Sequence, residues 1–275
     1  MSKQQRRQRV QGRADFVRGR KQRVTKERTL RVGLYGVGVM VSMLLLAYLM
    51  QWNTLQFREV FVLGADEIPG ETVKTAVSDY LASPAGVFFT NSSMLLFRGG
   101  ALKKQLTRTF PQIADINVNR ILTDHAVEIT ITERDPWALY CRDQSCAYIS
   151  EDGVAYARTL ASDSGLLTLI RGVVGGTTEL GNVWCDEVCR THVRVLKNEL
   201  EVGAALGPLA ITYGDGGTLI ATTQQGWEIR MMLEGDIPRV AENIRIALEA
   251  TIKDRRKSLE YIDARFGDRV HYQYK

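Results

Sequence analysis

Residues 113–133 read IADINVNRILTDHAVEITITE. Ile116 and Val118 alternate with Asn117 and Asn119, and Val127, Ile129 and Ile131 alternate with Glu128, Thr130 and Thr132. Successive side chains of a strand point to opposite faces, so both runs carry one apolar and one polar face. The polar centre at Thr123 and Asp124 supplies the turn, which makes the segment a hairpin. Its apolar face must be buried against something else in the chain.

The cover is legible upstream. Val73, Ala76, Val77, Tyr80 and Leu81 recur at helical spacing after Pro69, a residue tolerated at a helix start, and the pattern ends before Pro84. Leu102, Leu106 and Phe110 mark a second, shorter helix stopped by Pro111. Before both lies a strand through Phe57, Val60 and Val62, ending at Gly64, where glycine can take a positive φ. The fold class is therefore α+β, with the order strand, helix, helix, strand, strand over residues 56–134.

Downstream, residues 135–275 read as a larger mixed domain rich in strands with two helices. Trp137, Leu139 and Cys141 lead to a polar turn at residues 142–145, and Ala147, Tyr148 and Ile149 follow. Glu151, Asp152 and Gly153 make a second turn before Val154, Ala155 and Tyr156. A strand over residues 166–170 precedes an amphipathic helix with Val188, His192, Val195, Leu196 and Leu200 on its apolar face. A hairpin joins residues 219–223 to 227–233. The last helix carries Ile237, Val240, Ile244, Leu248 and Ile252, with Asp236 as N-cap and Pro238 in its first turn. One long closing strand is expected over residues 259–274. At about 80 and 140 residues, both domains are large enough for a core of their own.

Upstream of all this, residues 32–50 carry no charge. Nineteen helical residues span roughly 28 Å, near the ~30 Å hydrocarbon core of a bilayer. Residues 1–31 hold twelve Lys and Arg against Asp15 and Glu27, a net +10. Clustered basic residues beside a span stay cytoplasmic, so the expectation is a single transmembrane helix over 32–52, a disordered basic tail at 1–31 and an extracytoplasmic remainder. A cleaved signal peptide fits less well: the leader is long and no Ala-x-Ala follows Met50, while Tyr48 and Trp52 sit like interfacial anchors. Without the tail, the chain holds 24 basic and 29 acidic residues, net −5. The basic pI belongs to the tail and gives no reason to expect nucleic-acid binding by the rest.

The wording of three segments carries a resemblance. FREVFVLGA at 57–65, then FPQIADINVNR at 110–120 and VEITITERDPWAL at 127–139, resemble the bacterial division proteins of the FtsQ/DivIB family, in which a membrane anchor is followed by a POTRA domain and a β domain. GDIPRVAENI at 235–244 and YIDARFGDRVHY at 261–272 look like stretches of that β domain. Ile121 and Leu122 depart from the family, which often has an aromatic residue and proline there. The resemblance implies no catalysis and no cofactor, a place in the inner membrane at the division septum, and direct partners of the FtsB and FtsL kind, with FtsW and FtsI beyond. It also implies that Glu133 and Pro136 lie at a hinge between domains. The terminal strand would accept a partner strand, with Arg265 pairing a partner carboxylate, Phe266 giving apolar contact, and Tyr261, Asp263 and Arg269 on the same stretch. On pattern alone that stretch reads equally well as an ordinary closing strand.

Chemistry-bearing residues are sparse. His125, His192 and His271 are the three histidines, and no nucleophile elbow, phosphate loop or dinucleotide fingerprint occurs. Glu133 and Asp135 as a glycosidase-like acid and base compete with a solvated junction before Pro136. Cys141 with Cys146, and Cys185 with Cys189, are expected as disulfides in an oxidising compartment. The alternative is a zinc site of Cys185, Cys189 and His192, completed by the other two cysteines. Three readings from different classes thus stand: a division scaffold, an anchored hydrolase or thiol enzyme, and a POTRA-bearing secretion factor.

Overall fold

The computed structural model describes residues 32–45, 48, 56–86, 89–160, 165–267 and 269–275. Residues 32–45 are helical (α1). Among the described residues no helix is long and apolar enough to cross a membrane. The expected basic tail, and residues 46, 47 and 49–52 of the expected span, lie outside the described residues.

The chain is α+β: a β-α-α-β-β succession followed by a large mixed sheet with helices. β1 (Glu59–Leu63), α2 (Gly70–Ala82), α3 (Gly99–Thr109), β2 (Ile113–Ile121) and β3 (Ala126–Glu133) come first, and the three strands form a sheet in the order β1-β3-β2. Contacts group the chain into two compact units. One takes in the described residues up to 60 with 78–98 and 120–127, and the other takes in 61–77, 99–119 and 128–275. Within the first, Phe97 packs edge-on against Phe57 and Tyr80 at ring distances of 5.1 and 6.3 Å, and Arg120 lies 5.5 Å above the Phe97 ring. Edge-on aromatic packing of this kind is the favoured geometry.

In the second unit, β1 closes at Gly64, whose φ is +74° and whose Cβ, if it had one, would stand 2.3 Å from the Ile131 carbonyl oxygen. Only glycine fits there, as the strand ending at that residue suggested.

Nine strands make the larger sheet: β4 (Ala138–Arg142), β5 (Ser145–Ile149), β6 (Ala155–Thr159), β7 (Thr168–Arg171), β8 (Ala210–Tyr213), β9 (Thr218–Thr222), β10 (Glu228–Met232), β11 (Leu259–Asp263) and β12 (His271–Tyr274). Their order is β12-β11-β10-β9-β8-β7-β4-β5-β6. Helices α4 (Glu187–Leu196) and α5 (Ile237–Ala247) share one core with the sheet, where Trp184, Leu196, Leu200, Trp227, Ile244 and Leu248 are fully enclosed. Burying each such side chain contributes roughly 1.5–3 kcal/mol. Leu139, Cys141, Cys146 and Leu169 form a smaller cluster, flanked by Tyr148 and Ala210.

Three details differ from expectation. Val188 is 62% exposed, and the buried line of α4 is Cys189, Val193 and Leu196, continued by Leu200 in the helical segment that follows. Asp186 caps the helix by accepting from the Cys189 amide at 2.8 Å, and this start turns Cys189 inward in place of Val188. β8 has no counterpart in the sequence reading. It is held partly by Glu201, whose carboxylate accepts from the Leu209 amide, Thr168 Oγ1 and Lys197 Nζ. The third difference is the closing strand, which is two strands.

Candidate partner-binding edge

Residues 259–274 fold as a hairpin. β11 pairs parallel with β10, with Glu228, Ile229 and Arg230 opposite Tyr261, Ile262 and Asp263, and antiparallel with β12, with Asp263 opposite His271. The backbone of Tyr261 and Asp263 is therefore inside the sheet. The expectation that these residues stand on an open edge is corrected: the edge is β12, one strand further out. Arg265, Phe266 and Arg269 lie in the connection, which turns at Gly267 with φ +72°. Glycine within an alternating run was the signal for this break.

Among the described residues β12 has a strand neighbour on one side only. Such an edge presents backbone donors and acceptors to another chain. Aromatic and cationic groups surround it. Tyr272 and Tyr274 pack edge-on at 5.5 Å, and Arg255 lies 4.8 Å above the Tyr274 ring. Phe266 is 65% exposed, 6.3 Å edge-on from His271 and 5.6 Å below the Arg265 guanidinium. Arg269 is exposed, and Arg230 covers Tyr261 at 4.6 Å.

Arg265 is engaged within its own chain. Its Nε donates to Asp263 Oδ1 at 3.0 Å and its Nη2 to Oδ2 at 2.7 Å, while the Arg265 amide also donates to Oδ1. This two-point grip is the strong geometry for a guanidinium and a carboxylate. The hydrogen bond from Arg265 holds the Asp263 carboxyl below the ordinary carboxylate range, against a burial that pushes it up. A partner carboxylate would have to share this cation with Asp263.

At the junction, Glu133 accepts from the amides of Glu67 and Ile68, both at 2.9 Å. Its carboxylate is therefore committed to the turn before α2. Arg134 donates through Nε to the Pro111 carbonyl at 3.0 Å and through Nη1 to Ser150 and Asp152. Burial raises the Asp152 carboxyl, but the hydrogen bonds from Arg134 and Ser150 outweigh it and the net shift is downward. Pro136 lines a cleft with Glu67, Tyr148 and Tyr156. The sequence reading singled out Glu133 and Pro136 and passed over Arg134, which ties Pro111 to Ser150 and Asp152.

The four cysteines form Cys141–Cys146, directly opposite each other across β4 and β5, and Cys185–Cys189, with Cα atoms 6.1 Å apart at the start of α4. Each sulfur is bonded to another sulfur, so no thiolate is left for a metal. His192 is half-buried, and that burial lowers its pKa against the pull of Asp186.

Comparison with protein-family models and with curated protein sequences finds no match to this chain.

Proposed function

We propose that this chain is a non-catalytic scaffold of the bacterial division site, of the FtsQ/DivIB kind. A single transmembrane helix over 32–52 anchors it in the inner membrane, and its POTRA domain and β domain lie outside the cytoplasm. The observation that carries the reading is the open outer edge of β12, set beside the exposed ring of Phe266. A strand of an FtsB-like partner adds to that edge; main-chain hydrogen bonds supply most of the affinity, and Phe266 and the β12 tyrosines supply apolar contact. FtsL-like, FtsW-like and FtsI-like proteins are gathered through that contact. Two disulfides support an extracytoplasmic position for residues 135–275, because such bonds persist in oxidising compartments.

The test is binding of the FtsB-like partner to the purified full chain. Phe266→Ala is expected to weaken binding by roughly tenfold, the scale of one buried aromatic contact at an interface. Arg265→Glu is expected to weaken it more, since it reverses the charge beside the edge. If both variants fold and bind at wild-type affinity, the proposed interface is wrong. In cells, depletion is expected to give filaments; altered secretion without filaments would favour the secretion factor.

A further inference from the structure

The β4–β5 hairpin ends beside a framed hollow. Cys141 and Cys146 stand opposite each other and are bonded, and one step further out Arg142 stands opposite Ser145. Side chains two apart on a strand share a face, so Ser145 and Ala147 point the same way, and Arg158 of β6 stands opposite Ala147. Arg142, Ser145 and Arg158 therefore belong to one face. The backbone at Gly176 closes in on this corner: a Cβ there would lie 2.3 Å from the Tyr140 hydroxyl, and the Gly176 carbonyl accepts from Arg142 Nη1 at 3.2 Å. Arg158 Nη1 donates to Ser145 Oγ at 3.3 Å, and Thr178 Oγ1 donates to the same oxygen at 3.4 Å. The hollow has a volume of about 430 Å³, and Arg142, Asp143, Ser145 and Arg158 are among the residues that line it.

Its charge is not compensated from within the chain. Arg134, Arg190, Arg230, Arg245 and Arg265 each hold a carboxylate. Arg142 and Arg158 hold none among the described residues, and their hydrogen bonds go to a neutral carbonyl and a neutral hydroxyl. A guanidinium has five N–H donors, so most of those on both side chains are left for something else. Asp143 lines the same hollow, in a turn that gives it a φ of +54°, yet it pairs with neither arginine. Two cations against one carboxylate leave the lining at +1. The two unesterified oxygens of a phosphodiester share one negative charge and diverge from a tetrahedral phosphorus, so each can meet a different guanidinium, whereas both oxygens of a carboxylate are satisfied by a single planar fork.

We propose that this hollow is an anion site for a phosphodiester, held between the guanidinium groups of Arg142 and Arg158. Ser145 Oγ already accepts from Arg158 and Thr178, which leaves its own proton to donate to the ligand. The Cys141–Cys146 bridge fixes the end of the hairpin, so Arg142 and Ser145 are placed before the ligand arrives. The inference does not depend on the partner at β12, because β4, β5 and β6 are at the other end of the sheet.

The experiment uses the full chain in non-ionic detergent micelles, titrated with glycerophosphoglycerol and read by the phosphorus NMR line of that probe. Expected is saturable binding with a Kd of about 1 mM, weakened at least about tenfold by Arg142→Gln and by Arg158→Gln, the scale of one charge-assisted contact. Asp143→Asn is expected to tighten binding by about twofold, because it removes the opposing charge. Arg194→Gln, which removes an exposed cation outside the hollow, is expected to change nothing, and this separates the site from general attraction to basic residues such as those of the tail. The same phosphodiester occurs in phospholipid headgroups, so the titration is repeated in micelles doped with phosphatidylglycerol. Loss of probe binding there supports the site and assigns a lipid source, and unchanged binding supports it and assigns a soluble one. The proposal is overturned if the probe does not saturate by about 10 mM, if either folded Arg→Gln variant binds like wild type, if Arg194→Gln costs as much as Arg142→Gln, or if acetate displaces the probe as well as dimethyl phosphate does.

Discussion

Asp263 is buried in β11, and its carboxylate is gripped by the guanidinium of Arg265 two residues further on. The pair links the last interior strand to the turn that carries Phe266, so the shape of the proposed edge depends on it. Arg265 therefore organises the turn before any partner arrives. Because the folded-state pKa of Asp263 is depressed, the pair stabilises the protein above the unfolded carboxylate pKa of about 3.9, and this contribution is lost as the pH falls through the lower folded value. The stability difference between wild type and Arg265→Ala, from thermal unfolding, is expected to be constant above about pH 5 and to shrink below about pH 4. A difference that does not change with pH would show that the pair is not what the substitution removes.

Arg134 bridges the Pro111 carbonyl, Ser150 and Asp152 with only 8% of its side chain exposed. Removing it strips the Pro111 carbonyl of this donor and leaves Asp152 without its cation, while the Ser150 hydroxyl keeps its bonds to Asp152 and Val154. Arg134→Ala is expected to cost about 2 kcal/mol in urea unfolding, the scale of hydrogen bonds to a charged group, and Asp152→Ala less because that carboxylate is largely exposed. Equal costs for the two would mean that the Pro111 contact contributes nothing.

Gly64 faces the Ile131 carbonyl at a positive φ. Gly64→Ala introduces both left-handed strain and a backbone clash, with an expected loss of at least about 2 kcal/mol. Gly70→Ala, where a Cβ meets nothing within 4 Å, serves as the control and is expected to be near neutral.

The Cys141–Cys146 bridge closes a short loop, so by loop entropy its removal by paired alanines is expected to cost about 2 kcal/mol in urea unfolding. Peptide mapping of thiol-blocked, unreduced protein is expected to show both bridges within one chain. Four blocked free thiols would reopen the zinc alternative for Cys185, Cys189 and His192.

Topology is testable separately. A reporter fused after Lys275 is expected to be active outside the cytoplasm, following the charge asymmetry of residues 1–31. Activity confined to the cytoplasm would remove the anchored-scaffold reading.

Local chemistry was enough to identify most elements. Alternation at residues 116–131 marked the hairpin, helical spacing after Pro69 and Pro238 marked α2 and α5, and Asp236 marked a helix start, accepting from the Arg239 amide as a cap should. Cys141 and Cys146 were readable as neighbours because a hairpin places its flanking residues opposite each other. These are short-range patterns, written within a few residues of where they act. The placement of strands is not of that kind. Nothing in Ala210–Tyr213 indicates that it lies between β7 and β9, and nothing in Tyr261 or Asp263 indicates that another strand covers them. Edge and interior strands can share the same alternation, since the side chains report the two faces of a sheet while the neighbours lie in its plane. Which backbone is left open, as at β12, is settled by pairing between residues far apart in the chain, and the proposed partner edge depends on that pairing.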